Sequence, residues 1–174
     1  MRRNSPRVVV RPRTPNDRRL VERLLEQVAV EWRKRHGLSP KIAKMSGDPA
    51  SAALGMIAVA NGKLAGTVSY RIRGSTMYVF DLAVGQRHRR RGVARTLIGR
   101  LCDIAQSARV RRVTAHTLKE PGGFDVFRQM DFAAETEKPE FLFAGGPTTG
   151  KWTSVYMVRR LDGAARQPRR TPRT

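Results

Sequence analysis

One short basic segment carries the residue types and the spacing best suited to chemistry. An apolar run that ends at Val84 leads into residues 85–92 (GQRHRRRG), and an amphipathic pattern starts at Val93. A strand, a basic loop and a helix in this order would aim free backbone N–H groups and a partial positive charge at one point, which suits a phosphate group. Gly92 allows close approach of the backbone, and the small Ala94 leaves room for the anion. The segment contains neither G-x-x-x-x-G-K-[ST] nor G-x-G-x-x-G, so these two nucleotide-binding loops are excluded.

The charge balance favours anionic partners. The 174 residues include 35 Lys and Arg against 14 Asp and Glu, a formal net charge of +21. Such a field attracts polyanions and repels polyamines and other polycationic substrates. The single cysteine, Cys102, excludes an internal disulfide framework, and the scarcity of cysteine and histidine argues against a structural zinc site. We expect Cys102 to be a small core residue on its helix rather than a nucleophile.

The length of 174 residues predicts one domain, and the distribution of arginine predicts that its ends are basic. We expect a basic extension over residues 1–6, a folded domain over 7–161 and a flexible basic tail over 162–174. No apolar run approaches the roughly 18 residues that a membrane helix needs, so we expect a cytoplasmic protein without a membrane span.

The hydrophobic periodicity predicts alternating strands and helices. Thr14 to Asp17 is typical of a helix start, and Asn61-Gly62 of a hairpin turn. Residues 38–54 are ambiguous, with a second short helix as one interpretation. The predicted fold is α+β or mixed α/β, with mostly antiparallel strands and helices on both faces of the sheet. Strands are predicted at 8–11, 56–60, 64–72, 76–84, 110–118, 132–143 and 152–161, and helices at 14–32, 93–105 and 124–130.

Residues 89–94 (RRRGVA) resemble the hallmark of the GNAT superfamily of acyl-CoA-dependent N-acyltransferases, [Q/R]-x-x-G-x-[G/A] at a helix start after a central strand. The flanking sequence LAVGQRHRRRGVARTLIGRL is similar to the strand, loop and helix of that family. VVVRPRTPNDRRLVERLLEQV resembles the first strand and helix, VFRQMDF the late helix with its corner, and VYMVRRL the last strand. The resemblance covers roughly residues 7–161.

This resemblance implies that acetyl-CoA is the cofactor. Backbone N–H groups at the helix start would hold its pyrophosphate, and the end of the fourth strand would pair with the pantetheine arm in a splay between the fourth and fifth strands. Arg87 and Arg95 are candidates for the ribose phosphate. The residues assigned to the cofactor are Leu82, Ala83 and Val84 for the arm, and Arg89, Arg90, Arg91, Gly92, Val93 and Ala94 for the phosphates.

The resemblance also implies direct attack of an amine on the thioester, without a covalent enzyme intermediate. Asp81 matches a position where family members often carry an acid, and it would remove the proton of the amine. Its alternative role is a structural pair with a nearby arginine. His116 would act as an acid or a base, or would simply be packed. The backbone N–H of Val84 would stabilise the oxyanion.

Two positions depart from the family pattern. The tyrosine that usually protonates the leaving thiolate corresponds to Phe127, and Asp131-Phe132 replaces the Gly-Phe corner. The asparagine seven residues before that tyrosine corresponds to Glu120. A member with these changes uses solvent or another acid, binds coenzyme A without efficient transfer, or binds no cofactor.

Two functions therefore compete. The first is transfer of an acetyl group from acetyl-CoA to a primary amine, on a protein N-terminus, a lysine or a small molecule. The second is a non-catalytic GNAT-like module that binds RNA, the ribosome or DNA through the arginine-rich ends. Cofactor affinity and the salt dependence of nucleic-acid binding discriminate between them.

Overall fold

A computed structural model describes residues 8–36, 54–119, 123–141 and 152–161. The basic ends, the ambiguous segment up to residue 53, Glu120 and the glycine-rich loop over residues 142–151 lie outside the described residues.

Seven strands form one sheet within the described part of the chain, in the order β1-β2-β3-β4-β5-β7-β6. Neighbouring strands are antiparallel except β4 and β5, which are parallel. The predicted mixed, mostly antiparallel fold is thereby confirmed. The strands are β1 (Val8–Pro12), β2 (Leu54–Ala60), β3 (Lys63–Arg73), β4 (Thr76–Val84), β5 (Arg112–Leu118), β6 (Ala133–Phe141) and β7 (Trp152–Arg160), and the helices are α1 (Arg18–Arg35), α2 (Val93–Ser107) and α3 (Gly123–Arg128).

The helices lie on both faces of the sheet, as predicted. Met56, Ala58 and Ala60 of β2 belong to the core cluster beneath α2. The alternate residue Ile57 points to the other face, where it lines a shallow recess with Leu20 of α1. α3 lies on the same face as α2, because its Phe127 joins the same cluster. No described helix is long and apolar enough to cross a membrane.

Local sequence signals explain several of the element boundaries. Asn61 and Gly62 have φ values of 50° and 72°, the conformation expected for a two-residue hairpin turn. β5 begins two residues later than predicted, because the N–H of Val110 donates to Ala105 at the end of α2, at 2.8 Å. α3 ends earlier than predicted, since the chain turns at Asp131, whose φ is 65°.

The start of α1 is fixed to β1 by one buried carboxylate. Asp17 accepts hydrogen bonds from the Thr14 N–H at 2.8 Å and the Thr14 hydroxyl at 2.7 Å. It also accepts two from the guanidinium of Arg11, at 2.7 and 2.8 Å. The contact with Arg11, followed by that with the Thr14 N–H, holds the pKa of Asp17 well below its ordinary value.

We predict that Asp17→Ala lowers the free energy of unfolding by about 2 kcal/mol at pH 7, since it removes charge-assisted hydrogen bonds from a buried site. The pKa of Asp17 is lower in the folded protein than in the unfolded chain, where it is about 3.9. The ionised carboxylate therefore stabilises the folded protein above that pH, and this stabilisation is lost as the pH falls. Urea unfolding of both proteins should therefore show the difference at pH 7 and a smaller one below pH 3. Equal stabilities at pH 7 would contradict this role for Asp17.

Candidate active site between β4 and β5

The sheet opens between its two parallel strands. β4 and β5 pair only from Thr76 to Val79 on one side and from Arg112 to Ala115 on the other. Beyond these pairs β4 stays with β3, and β5 stays with β7. The backbone of residues 80–84 and of residues 116–118 therefore faces a gap, where an extended ligand can add like a strand. This confirms the divergence of the fourth and fifth strands that the resemblance requires.

The N-terminus of α2 lies at the end of β4, beside this gap. Gly92 caps the helix with φ of 77°, and a Cβ built on it would meet nothing within 4 Å. The hydrogen bond from the Thr96 N–H to the Gly92 carbonyl, at 2.9 Å, is the first of the helix. The N–H groups of Val93, Ala94 and Arg95 precede it and have no intrahelical acceptor. They form a set of donors that suits an anion.

The close fit of α2 on the sheet depends on a second glycine. A Cβ on Gly66 of β3 would lie 2.9 Å from Val93 and 3.2 Å from Leu97. Val93 and Leu97 are themselves buried. Gly66 therefore allows the first turn of α2 to approach β3 and sets the height of the free N–H groups above the gap.

The arginines of the loop have different roles in the structure. Arg87, Arg90 and Arg91 are exposed, and none of them has an ion-pair partner in the described part of the chain. Arg89 is held instead: its Nε donates to the Val84 carbonyl at 3.1 Å, and its Nη2 donates to Glu31 of α1 at 2.6 Å. Its side chain therefore joins α1 to the end of β4.

Arg95, the other candidate for the ribose phosphate, is also engaged. Its Nη2 donates to the Gln129 carbonyl at 2.9 Å, although the side chain is exposed. This contact joins the first turn of α2 to the end of α3, on the face of the sheet that carries the free N–H groups.

Asp81 lies in a bulge of β4 at the mouth of the gap. Ser69 pairs with Phe80 and Thr67 with Ala83, so Asp81 and Leu82 together face Val68. Asp81 has φ of 52°, a left-handed conformation that aspartate tolerates better than most residues. The bulge interrupts the strand alternation and redirects its side chain.

The carboxyl of Asp81 contacts Ser69 and lies near Arg13. Burial raises the pKa of Asp81, while the hydrogen bond from Ser69 and the charge of Arg13 act in the opposite direction. Arg13 itself reaches the Ser69 hydroxyl at 3.4 Å. It also lies over Gly55, where a Cβ would be 2.8 Å from the guanidinium. Asp81 thus has an arginine nearby and retains a raised affinity for a proton.

His116 lies on the opposite side of the gap. It is the first residue of β5 beyond the pairing with β4, is exposed, and contacts the Tyr156 ring edge-on at 5.1 Å. Tyr156 shares its strand face with Trp152, which packs on Trp32 of α1. His116 therefore faces the α1 side. Ser69 faces the same side, because it pairs with Gly55, which lies two residues before Ile57 and on the same face of β2. The two candidate catalytic residues flank the gap on the face opposite to α2.

The late helix α3 places the apolar Phe127, which has no hydroxyl, in the core. Phe127 is 8% exposed and packs edge-on against Phe132 at 5.2 Å. Asp131 has a left-handed backbone with φ of 65°, and its carboxylate lies 3.7 Å from Arg159. Cys102 is buried in the core as expected, and burial raises the pKa of its thiol, which disfavours a nucleophilic thiolate.

Sequence reasoning did not identify three of these residues. Ser69 of β3 contacts the carboxyl of Asp81, and Arg13, which follows β1, lies near it. Glu31 of α1 accepts a hydrogen bond from Arg89. These residues are far from Asp81 or Arg89 in the sequence or on another element, so no local sequence pattern predicts the contacts. An aspartate within an otherwise apolar strand was the one available signal of a bulge.

We predict that Asp81→Asn stabilises the protein at neutral pH. Asparagine tolerates the same φ and can still accept from Ser69, but it has no charge to bury. The pKa of Asp81 is higher in the folded protein than in the unfolded chain, where it is about 3.9. The wild type therefore keeps the stability that the protonated carboxyl gives below that pH, and loses it as the pH rises. The Tm difference in favour of the variant should therefore grow from pH 4 to pH 8. A variant that is progressively less stable than the wild type over this range would contradict the prediction.

Comparison with known proteins gives the same architecture. The chain is similar to the Escherichia coli ribosomal-protein-S18-alanine N-acetyltransferase, with 14% identity, a TM-score of 0.66, and coverage of 93% of this chain and 99% of that one. It is also similar to Arabidopsis thaliana NAA60, solved with acetyl-CoA, with 19% identity, a TM-score of 0.64 and coverage of 90% and 100%. At these identities the likeness shows the fold alone. No curated protein matches the sequence.

A family model supplies the stronger finding. The model of the acetyltransferase (GNAT) family matches residues 18–122, which include α1, β2 to β5 and the basic loop before α2. The match spans more than half of the chain. The protein therefore belongs to the acetyltransferase (GNAT) family.

Proposed function

We propose that this protein transfers an acetyl group from acetyl-CoA to a primary amine. One observation carries the proposal: the gap between β4 and β5 opens beside the free N–H groups of α2, and Asp81 lies at its mouth on the other face. The gap suits an extended thiol arm, the helix start suits a pyrophosphate, and a carboxyl with a raised pKa suits proton removal.

The described residues fit coenzyme A. Gly92 leaves open space at the helix start, and the N–H groups of Val93 and Ala94 are available to the pyrophosphate, with Arg90 and Arg91 exposed nearby. Leu82, Ala83 and Val84 are assigned to the pantetheine arm. We assign the guanidinium of Arg89 to holding the loop rather than to a phosphate, because Glu31 and the Val84 carbonyl already occupy it.

Val84 is oriented to act as the oxyanion donor. The Gly85 N–H donates to Ala65 of β3 at 3.0 Å. Because successive backbone N–H groups along a strand point to opposite sides, the N–H of Val84 points away from β3 and toward the gap. There it would stabilise the negative charge that develops on the thioester oxygen.

Asp81 and His116 divide the proton transfers in this proposal. Asp81 takes a proton from the attacking amine, whose nitrogen bonds to the acyl carbon as the carbon–sulfur bond breaks. The leaving thiolate needs a proton, and the side chain of Phe127 has no acidic hydrogen to supply it. His116, exposed on β5 at the edge of the gap, is assigned as its donor.

The charge of the protein narrows the acceptor. A chain with a net charge of +21 repels polyamines, so a protein N-terminus or a lysine side chain is the acceptor class we favour. The alternative is a non-catalytic GNAT-like module that binds nucleic acid. Burial of Phe127 at the position of the usual acid is the observation that favours it.

The test compares the wild type with Asp81→Asn. Both are mixed with acetyl-CoA and peptides that carry a free N-terminus or a free lysine, and release of coenzyme A is followed with a thiol reagent. We predict a fall of about 10²- to 10⁴-fold in kcat for the variant, the range for loss of a general base, with less than a twofold change in the Kd of acetyl-CoA.

His116→Gln in the same assay should lower kcat by a smaller factor. A wild type that binds acetyl-CoA but releases no coenzyme A with any peptide amine would favour the non-catalytic alternative. An Asp81→Asn protein with unchanged kcat would exclude Asp81 as the base.

A further inference from the structure

Five arginines lie on neighbouring segments at the end of the sheet opposite to the gap, and the proposed acetyl transfer does not use them. They come from the end of β3, the α2–β5 turn, the start of β5 and the end of β7. We call this set the arginine edge: Arg73, Arg109, Arg111, Arg112 and Arg160. Backbone hydrogen bonds join the contributing segments, since the Ser75 carbonyl accepts from the N–H groups of Arg111 at 2.9 Å and of Arg112 at 3.3 Å.

Three members of the arginine edge have free charge. Arg73, Arg109 and Arg111 are exposed, and they form no ion pair among the residues that the structure describes. Arg112 donates to the Thr76 hydroxyl at 2.9 Å, and Arg160 lies 3.3 Å from Glu135. Among the described residues, one carboxylate is paired with these five guanidinium groups, so the edge keeps a positive field.

The spacing of these cations suits a chain of phosphates. Neighbouring strands are about 4.8 Å apart, so the Cα atoms of Arg73 on β3 and Arg112 on β5 are about 10 Å apart, and that of Arg160 on β7 is about 5 Å further along. Guanidinium groups bind phosphate oxygens through paired hydrogen bonds. Contacts to phosphates alone suffice for sequence-independent binding, whereas a protein interface normally adds a buried apolar anchor, which none of these five residues supplies.

We propose that the arginine edge binds the phosphodiester backbone of a nucleic acid, in addition to the transferase activity proposed above. The Leu161 N–H donates to the Arg111 carbonyl at 2.8 Å, so the chain leaves the sheet at this edge. It continues into residues 162–174, which contain four more arginines.

Position also separates this surface from the active site. Thr76 at the arginine edge and Val84 beside the start of α2 are eight residues apart on β4, a distance of about 26 Å, and the gap begins at Phe80, about 13 Å from the edge. A nucleic acid on the edge leaves both the cofactor and the acceptor sides of the gap accessible. Binding and acetyl transfer are therefore separable by mutation.

The experiment measures binding of a labelled 20-nucleotide single-stranded RNA to nuclease-treated, full-length protein over a range of salt concentrations. The edge variant carries Arg73→Gln, Arg109→Gln and Arg111→Gln. The matched control carries Arg19→Gln, Arg23→Gln and Lys63→Gln, which remove three exposed charges elsewhere. We predict at least a tenfold loss of affinity at 100 mM salt for the edge variant, and less than a threefold loss for the control.

The salt dependence gives an independent readout. Each phosphate contact with a single strand contributes a slope of about −0.7 to log K against log salt, so the edge variant should lose about 2 units of slope. Replacing the same three arginines by lysine should keep most of the affinity, which distinguishes lost charge from misfolding. Equal losses in the edge variant and the control, no binding by the wild type, or equally tight binding of polyglutamate of the same charge would each overturn the proposal.

Discussion

Four residue pairs join β4 to β5, and the loss of pairing after them determines the shape of the whole site. A continuous ladder would satisfy the backbone of both strands and leave no place for a ligand. The bulge at Asp81 begins two residues after the last pair, and its left-handed backbone adds local twist to β4. The strand nevertheless keeps its partner β3 to its last residue. This part of β4 is thus held in place by β3 on one side, while its other side is not paired with β5.

Each side of this opening is fixed by contacts of a different kind. On the α2 side the fit is steric, because the absent side chain of Gly66 lets Val93 and Leu97 pack on the sheet. On the α1 side it is polar: Arg89 connects Glu31 to the carbonyl of Val84, and Ser69 contacts Asp81. The division has a chemical consequence. The side with free N–H groups and exposed arginines suits an anion, and the side with the partly buried carboxyl suits an amine that must lose a proton.

The sequence predicts the features that depend on local patterns. The hairpin at Asn61-Gly62, the strand, basic loop and helix around Gly92, and the core position of Cys102 all follow from neighbouring residues, and the structure confirms them. Contacts between distant segments could not be found in this way. The link between Arg89 and Glu31 depends on how α1 crosses the end of β4, and periodicity carries no information about that crossing.

The same limit applies to the candidate catalytic residues. Asp81 is predicted from the resemblance, which implies an acid at this position, but its contact with Ser69 depends on the register of β3 and β4 around the bulge. The arginine edge likewise requires the β3–β4 turn, the α2–β5 turn and the end of β7 to be brought together by the sheet. In the sequence these arginines are separated, and the segments that stand out as basic are the ends of the chain and residues 85–92. The position of each charge relative to the gap is information that the fold adds.

Calorimetric titration with acetyl-CoA tests the central claim most directly, with Gly92→Glu compared against Gly62→Glu. Both glycines have positive φ, at 77° and 72°, and a Cβ at either position meets nothing within 4 Å. The two substitutions therefore impose a similar backbone cost and the same charge, but only the first lies at the start of α2. A site at this helix start predicts micromolar binding by the wild type and by Gly62→Glu, and its loss in Gly92→Glu. Unchanged binding in a folded Gly92→Glu protein would contradict it, as would no binding by the wild type at millimolar acetyl-CoA.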